Sequence, residues 1–144
     1  MLTLVDTNVL IDVGTEDPAW FAWSASQIER ALDTGGLAIN PIIYAELSVH
    51  YETIEALDEA LSGFKFERLQ LPWEAAFVAG KAYRRYRRRG GAKRSPLPDF
   101  YIGACASFGG LSLLTRDPGR YREYFPKLRL IAQCATMLRG LFCG

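Results

Sequence analysis

Apolar residues fall along this chain in short runs separated by stretches with a helical repeat. The segments LTLV (2–5), LAI (37–39), FERL (66–69), LSLL (111–114) and LRLI (128–131) have the length and side-chain character of buried strands. Between them, AWFAWSASQIERALD (19–33) repeats its apolar residues with helical spacing and stops near Gly35 and Gly36. PIIYAELSVHY (41–51) begins with Pro41, which suits a helix's first turn, and IEALDEALSG (54–63) runs to a stop at Gly63. The longest helix extends from about Trp73 to Arg89 and ends at Gly90 and Gly91, after which GGAKRSPLP (90–98) has the composition of a flexible loop. Pro98 then opens DFYIGACASF, which Gly109 and Gly110 close. Strands alternating with helices of this length predict an α/β fold with a central, mostly parallel five-stranded sheet flanked by helices on both faces. With 144 residues, 49% of them apolar, the chain can bury one full core, so a single domain is expected.

Four acids break the apolar pattern at one edge of this sheet. Asp6 ends the first strand, and Thr115 and Asp117 directly follow the fourth. Glu46 interrupts PIIYAELSV, and Asp99 interrupts SPLPDFYIGA. In open parallel sheets the functional crevice lies outside the carboxyl ends of the strands, where the strand order reverses. An ionised carboxylate beside a core is costly unless it is hydrogen-bonded, paired or bound to metal. Singly, Asp99 suits a helix N-terminus and Asp117 suits the turn in RDPGR. Together, close carboxylates raise one another's pKa until a cation compensates, and all-oxygen ligands select Mg²⁺ or Mn²⁺ over zinc. An ion held there lowers the pKa of a bound water and neutralises a leaving oxygen, which is the chemistry of phosphodiester hydrolysis.

Charge adds a second surface. Residues 1–70 hold 12 acids against 3 basic residues and residues 71–144 hold 4 against 14, so a net charge of +1 conceals halves of −9 and +10. Much of the positive charge lies in KAYRRYRRRGGAKR (81–94), where Tyr83 and Tyr86 are interleaved with Arg84, Arg85, Arg87, Arg88, Arg89, Lys93 and Arg94. Such a run attracts phosphate backbones without reading sequence, and it equally suits a solvated helix end favoured by the dipole. The N-terminus lacks a positively charged start and carries Asp6 and Asp12 in its apolar stretch, so neither a secretory leader nor a spanning helix is expected. Cys105, Cys134 and Cys143 are odd in number and lack metal-ligand spacing, which makes reduced thiols the expectation.

In this order, LVDTNVLID, YAELSV, LPDFYIGA and LLTRDPGRYREYFP resemble the motifs of PIN-domain ribonucleases, and as a set they resemble the VapC toxins of bacterial toxin–antitoxin pairs. The resemblance covers nearly the whole chain. It implies a single PIN-like nuclease domain over 1–131, with the tail AQCATMLRGLFCG (132–144) continuing past the last expected strand without an assigned role. It makes Asp6, Glu46, Asp99 and Asp117 the catalytic acids and metal ligands, Asp6 and Asp99 foremost. Thr115 becomes a supporting polar group, and Asn8 a hydrogen-bond partner of Asp6. It further implies a type II toxin with Mg²⁺ or Mn²⁺ as cofactor, RNA as substrate, a cognate antitoxin protein as partner, homodimerisation and a cytoplasmic location without membrane contact. The arginines and lysines of 81–94 would then hold the RNA backbone.

Two other readings compete. A phosphatase of the haloacid-dehalogenase type would use Asp6 as nucleophile, but its second acid two residues later is here Asn8. A non-catalytic module would use the basic helix on RNA alone. His50 lies one helical turn after Glu46, yet without a second histidine nearby it reads as solvent-facing. Ser107 and Ser112 lack a nucleophile-elbow context, and GGAKRSP lacks the phosphate-loop pattern. The aromatic residues Trp20, Phe21 and Trp23 are expected to pack against the core rather than form a docking surface.

Overall fold

The computed structural model describes residues 1–91 and 97–133. Strand β1 (Thr3–Val5) leads into helix α1 (Thr7–Gly14), α2 (Phe21–Thr34), β2 (Leu37–Ile39), α3 (Pro41–Ser48) and α4 (Ile54–Leu61). After a short 3₁₀ turn come β3 (Glu67–Arg68), α5 (Trp73–Arg88), α6 (Leu97–Gly109), β4 (Ser112–Leu114), α7 (Gly119–Tyr124) and β5 (Arg129–Ile131). The five strands form one sheet in the order β3-β2-β1-β4-β5, and every pairing is parallel. The α/β architecture expected from the apolar runs is the one observed, with strictly parallel pairing.

Burial shows that both sheet faces are covered. Successive strand residues point to opposite faces, yet all three residues of β1, of β2 and of β4 are buried. The outer strands differ, with both residues of β3 exposed and Arg129 of β5 exposed. Polar edges of this kind discourage pairing with another chain.

The chain steps outward from β1 to β2 to β3 and returns through α5 and α6 to place β4 on the other side of β1. The order therefore reverses between β1 and β4, which pair with Thr3 opposite Ser112, Leu4 opposite Leu113 and Val5 opposite Leu114. The ladder continues one step further, where the Asp6 N–H donates to the Leu114 carbonyl at 2.9 Å and the Thr115 N–H to the Ile131 carbonyl at 3.0 Å. Asp6 and Thr115 are thus carried side by side to the carboxyl ends of adjacent strands.

Helix α6 fills the space behind this edge. Its Phe100 is fully buried, with ring centroids of Tyr83, Tyr86, Tyr124 and Phe125 at 6.1, 5.7, 5.1 and 6.4 Å. Tyr83 and Tyr86, interleaved with the arginines in sequence, therefore pack inward from α5, partly buried against the core. The stripe Ala75, Ala79, Ala82, Tyr83, Tyr86 has the three-to-four spacing of a core-facing helix side. At the end of α5, Gly90 adopts φ 84° and the Gly91 N–H donates back to the Tyr86 carbonyl at 3.1 Å, a glycine-dependent C-terminal cap.

Gly103 lets α6 approach Phe125 closely. A Cβ there would stand 2.6 Å from the Phe125 ring, and that ring is itself buried. Gly103→Ala is expected to destabilise the domain by about 1–3 kcal/mol through forced repacking, measured as a lower midpoint in urea; an unchanged midpoint would show that Phe125 can retreat freely.

Some expectations shift in detail. TNVLIDVG, not among the predicted helices, forms one directly after β1, and GRYREY adds a short helix after the RDP turn. α3 ends at Ser48, short of Tyr51, and His50 is exposed beyond it. Cys105 is a buried free thiol as expected, whereas Cys134, Cys143, most of the tail (134–144) and residues 92–96 of the loop lie outside the described residues. Trp23 packs against the core, while Phe21 is 38% exposed. No described helix is long and apolar enough to cross a membrane.

Candidate active site

The site is built around Asp6, which caps α1 from the end of β1. Its Oδ1 accepts from the Thr7 N–H at 2.8 Å, the first N–H of the helix rather than the second or third that a capping side chain usually takes. Its Oδ2 accepts from the Thr115 hydroxyl at 2.8 Å and from the Tyr121 hydroxyl at 3.0 Å. Asp6 is only 5% exposed. Burial raises its pKa to about 6, Asp99 adding to the rise while the hydroxyls of Thr115 and Tyr121 and the Thr7 N–H oppose it.

The remaining acids approach from three other segments. Glu46, half-buried on α3, accepts from the Thr7 hydroxyl at 2.8 Å. Its pKa is raised by burial and by the charge of Asp99, against the Thr7 hydrogen bond. Asp99, in the first turn of α6, accepts from the Arg120 guanidinium at 2.6 Å. Burial raises its pKa and Asp117 adds to this, while Arg120 lowers it. Asp117 is exposed, and its N–H donates to the Thr115 hydroxyl oxygen at 3.1 Å. The four acids therefore lie within electrostatic reach of one another along the chain Asp6–Asp99–Glu46 and Asp99–Asp117.

Thr115 is the junction of this network. Fully buried, it donates to Asp6 while its oxygen accepts from the Asp117 N–H and, at 3.4 Å, from the Asn8 amide. The Asn8 carbonyl in turn accepts from the Arg116 N–H at 3.4 Å. Asn8 thus supports Asp6 through Thr115; the described hydrogen bonds include none from Asn8 to Asp6 itself.

Several contributors were not singled out from sequence. Arg120 and Tyr121 are adjacent on α7 and reach Asp99 and Asp6, respectively. Asp12 is buried in α1, accepts from the Ser24 hydroxyl at 3.1 Å and pairs with Arg116 at 3.4 Å, tying α1, α2 and the segment after β4 together. Their only sequence signal was a charge in an apolar run at Asp12 and the polar repeat in GRYREY. Neither specifies a partner.

The donor set fits a hard divalent cation in kind. It consists of carboxylate oxygens whose pKa values are raised chiefly by burial, with the charge of a neighbouring acid adding to the rise, and a hard cation such as Mg²⁺ or Mn²⁺ would suit oxygen ligands of this kind. Among the described residues, no three His, Cys, Asp or Glu side chains are gathered closely enough to form a finished cage. Arg120 stands against Asp99 as the resident cation.

The basic run divides in two. The Arg85 guanidinium donates to the Tyr124 carbonyl at 3.2 Å, and Arg89 pairs with Glu123 at 2.9 Å and lies over the Tyr124 ring, so both brace α7. Arg84, Arg87 and Arg88 are exposed and make no ion pair or hydrogen bond among the described residues. Lys93 and Arg94 lie outside the described residues. Arg120 connects the two surfaces, since its guanidinium lies 5.7 Å from the Tyr86 ring centroid while it holds Asp99.

Comparison with curated proteins finds no match. Among solved structures, a chain of the promoter-DNA-bound VapBC2 of Rickettsia felis superposes with a TM-score of 0.72 at 19% identity, covering 93% of this chain and 100% of that one. A chain of the DNA-bound VapBC of Salmonella typhimurium matches with a TM-score of 0.67 at 25% identity, covering 93% and 100%. VapBC-1 of nontypeable Haemophilus influenzae gives 0.68 at 20% identity, covering 92% and 98%. The family model for the PIN domain matches residues 3–124, a span that includes all four acids, Thr115 and Tyr121, and the chain belongs to the PIN domain family.

Proposed function

We propose that this protein is a divalent-metal-dependent endoribonuclease that hydrolyses RNA phosphodiester bonds as the toxin of a type II toxin–antitoxin pair. The observation that carries this reading is the delivery of Asp6, Glu46, Asp99 and Asp117 from separate elements to the point where the strand order reverses, each of the three inner acids with a raised pKa. Asp6, Asp99 and Glu46 would hold Mg²⁺ or Mn²⁺, with Asp117 beside Asp99. When bound, such an ion supplies a more acidic water and neutralises charge on the leaving oxygen.

The chain's own residues supply the rest. Thr115 and Tyr121 orient Asp6, and Thr7 orients Glu46. Arg84, Arg87 and Arg88, which make no ion pair among the described residues, attract the RNA backbone, which an acidic site alone would repel. A partner protein is supported by the VapBC complexes among the structural neighbours. A protein-binding surface, for an antitoxin or a second copy, is supported by Trp73 and Phe77, one turn apart on α5 and 89% and 67% exposed.

The direct test is incubation of the protein with cellular RNA in Mn²⁺ and in excess chelator. Discrete cleavage with Mn²⁺ and intact RNA in chelator is expected. Undiminished cleavage in chelator would overturn the metal dependence, and RNA that is bound but never cut under either condition would favour a non-catalytic binding module.

A further inference from the structure

Asp6 has an unusual allocation of its acceptor sites. An ionised carboxylate offers about four lone-pair directions, two on each oxygen. Oδ2 receives the Thr115 hydroxyl at 2.8 Å and the Tyr121 hydroxyl at 3.0 Å, which fills it. Among the described residues, Oδ1 receives only the Thr7 N–H, at 2.8 Å. One acceptor direction on Oδ1 is left.

The two hydroxyls are not free to withdraw. Thr115 is fully buried and is fixed by the N–H of Asp117 as well as by the β4–β5 ladder. Tyr121 is 2% exposed, on a helix whose Tyr124 is also buried and whose Arg120 grips Asp99. The Tyr121 hydroxyl stands 3.0 Å from Oδ2, and since an ionised carboxylate only accepts, that hydroxyl is the donor.

From this geometry we infer that Tyr121 is a positioning residue that, with Thr115, closes Oδ2 and restricts Asp6 to binding a divalent cation through Oδ1 alone. This rests on the metal-dependent reading above and makes it more specific. A single-oxygen attachment suits the octahedral shell of Mg²⁺, because each carboxylate then occupies one position and leaves others for water and phosphate oxygens. Partners that orient metal-bound side chains typically change metal affinity 10- to 100-fold when removed.

The test uses Mn²⁺ alone as the probe, without RNA. Calorimetric titration of wild type and Tyr121→Phe, with a thermal melt of each, is expected to show a folded variant whose Mn²⁺ affinity is lower by roughly 10- to 100-fold. In cleavage assays at saturating Mn²⁺, kcat should fall while KM for RNA stays within about twofold, since the α5 arginines are untouched. A folded variant with unchanged Mn²⁺ affinity overturns the inference. A crystal of the wild type soaked in Mn²⁺ gives a second measurement that depends on no variant: one Asp6 oxygen on the ion, with both hydroxyls still on the other, is expected, and two Asp6 oxygens on the ion overturn the inference. Wild-type protein that takes up no Mn²⁺ at all would instead remove the metal-dependent reading and the inference with it.

Discussion

Asp6→Asn is expected to abolish RNA cleavage and, in the same protein, to raise the melting temperature of the metal-free fold at neutral pH. Both effects come from the position of one carboxylate. Removing a charged ligand should cost at least the roughly hundredfold that removal of a supporting partner already costs. The stability gain follows from the pKa of Asp6, raised in the fold to about 6 from an ordinary 3.8. Because the folded value lies above the unfolded one, the fold holds the proton more tightly; stability is intact below pH 3.8 and is lost as pH rises to about 6. A rise of about two units corresponds to about 3 kcal/mol. Asparagine carries no such burden, so its advantage should be full above pH 6 and vanish below pH 4, as thermal melts across this range in chelator would show. Cleavage that survives the substitution would remove Asp6 from the catalytic set. A melting temperature that falls equally at every pH would show that the charge is compensated in a way the hydrogen bonds do not reveal.

Joint replacement of Arg84, Arg87 and Arg88 by alanine should weaken RNA binding by roughly a hundredfold at low salt. Each phosphate contact to single-stranded RNA contributes about 0.7 to the slope of log affinity against log salt, so losing three should flatten that slope by about 2. Mn²⁺ affinity and the melting temperature should stay close to wild type, since these three side chains are exposed and brace nothing among the described residues. Arg85 and Arg89 are excluded because their loss would loosen α7 and blur the readout. Filter binding across a salt series measures both quantities. An unchanged slope would mean that the arginines merely solvate the end of α5.

Much of the framework was legible because it follows from burial. LAI at 37–39 is apolar on both faces and forms β2 with those limits, since a central parallel strand must satisfy two covered faces. Asp6 and Asp117 were legible as charges placed where apolar strands stop. Helix α1 was less so, because TNVLIDVG is buried on most of its turns and lacks the one-sided pattern that distinguishes a surface helix. Helix α7 was missed for the opposite reason: GRYREY is short and polar, and Pro118 and Gly119 are equally good turn residues. Tyr121 could not be found without knowing that β1 and β4 are neighbours, because its partner is 115 positions away. Tyr83 and Tyr86 sit among charges in sequence, and the alanine spacing is the readable signal that puts them on the inward side of α5.

The β1–β4 pairing also orders events in the making of the protein. Asp6 emerges well before the hydroxyls that hold its Oδ2, which belong to positions 109 and 115 residues later. Until β4 docks, β1 is an outer strand with an open ladder, and Asp6 has neither Thr115 nor Tyr121. Contacts this distant in sequence form late, after the local helices have collapsed. A nascent chain halted before Ser112 thus carries three of the four acids but neither hydroxyl that holds Oδ2 of the first, and the site is completed only when the later strands close the sheet.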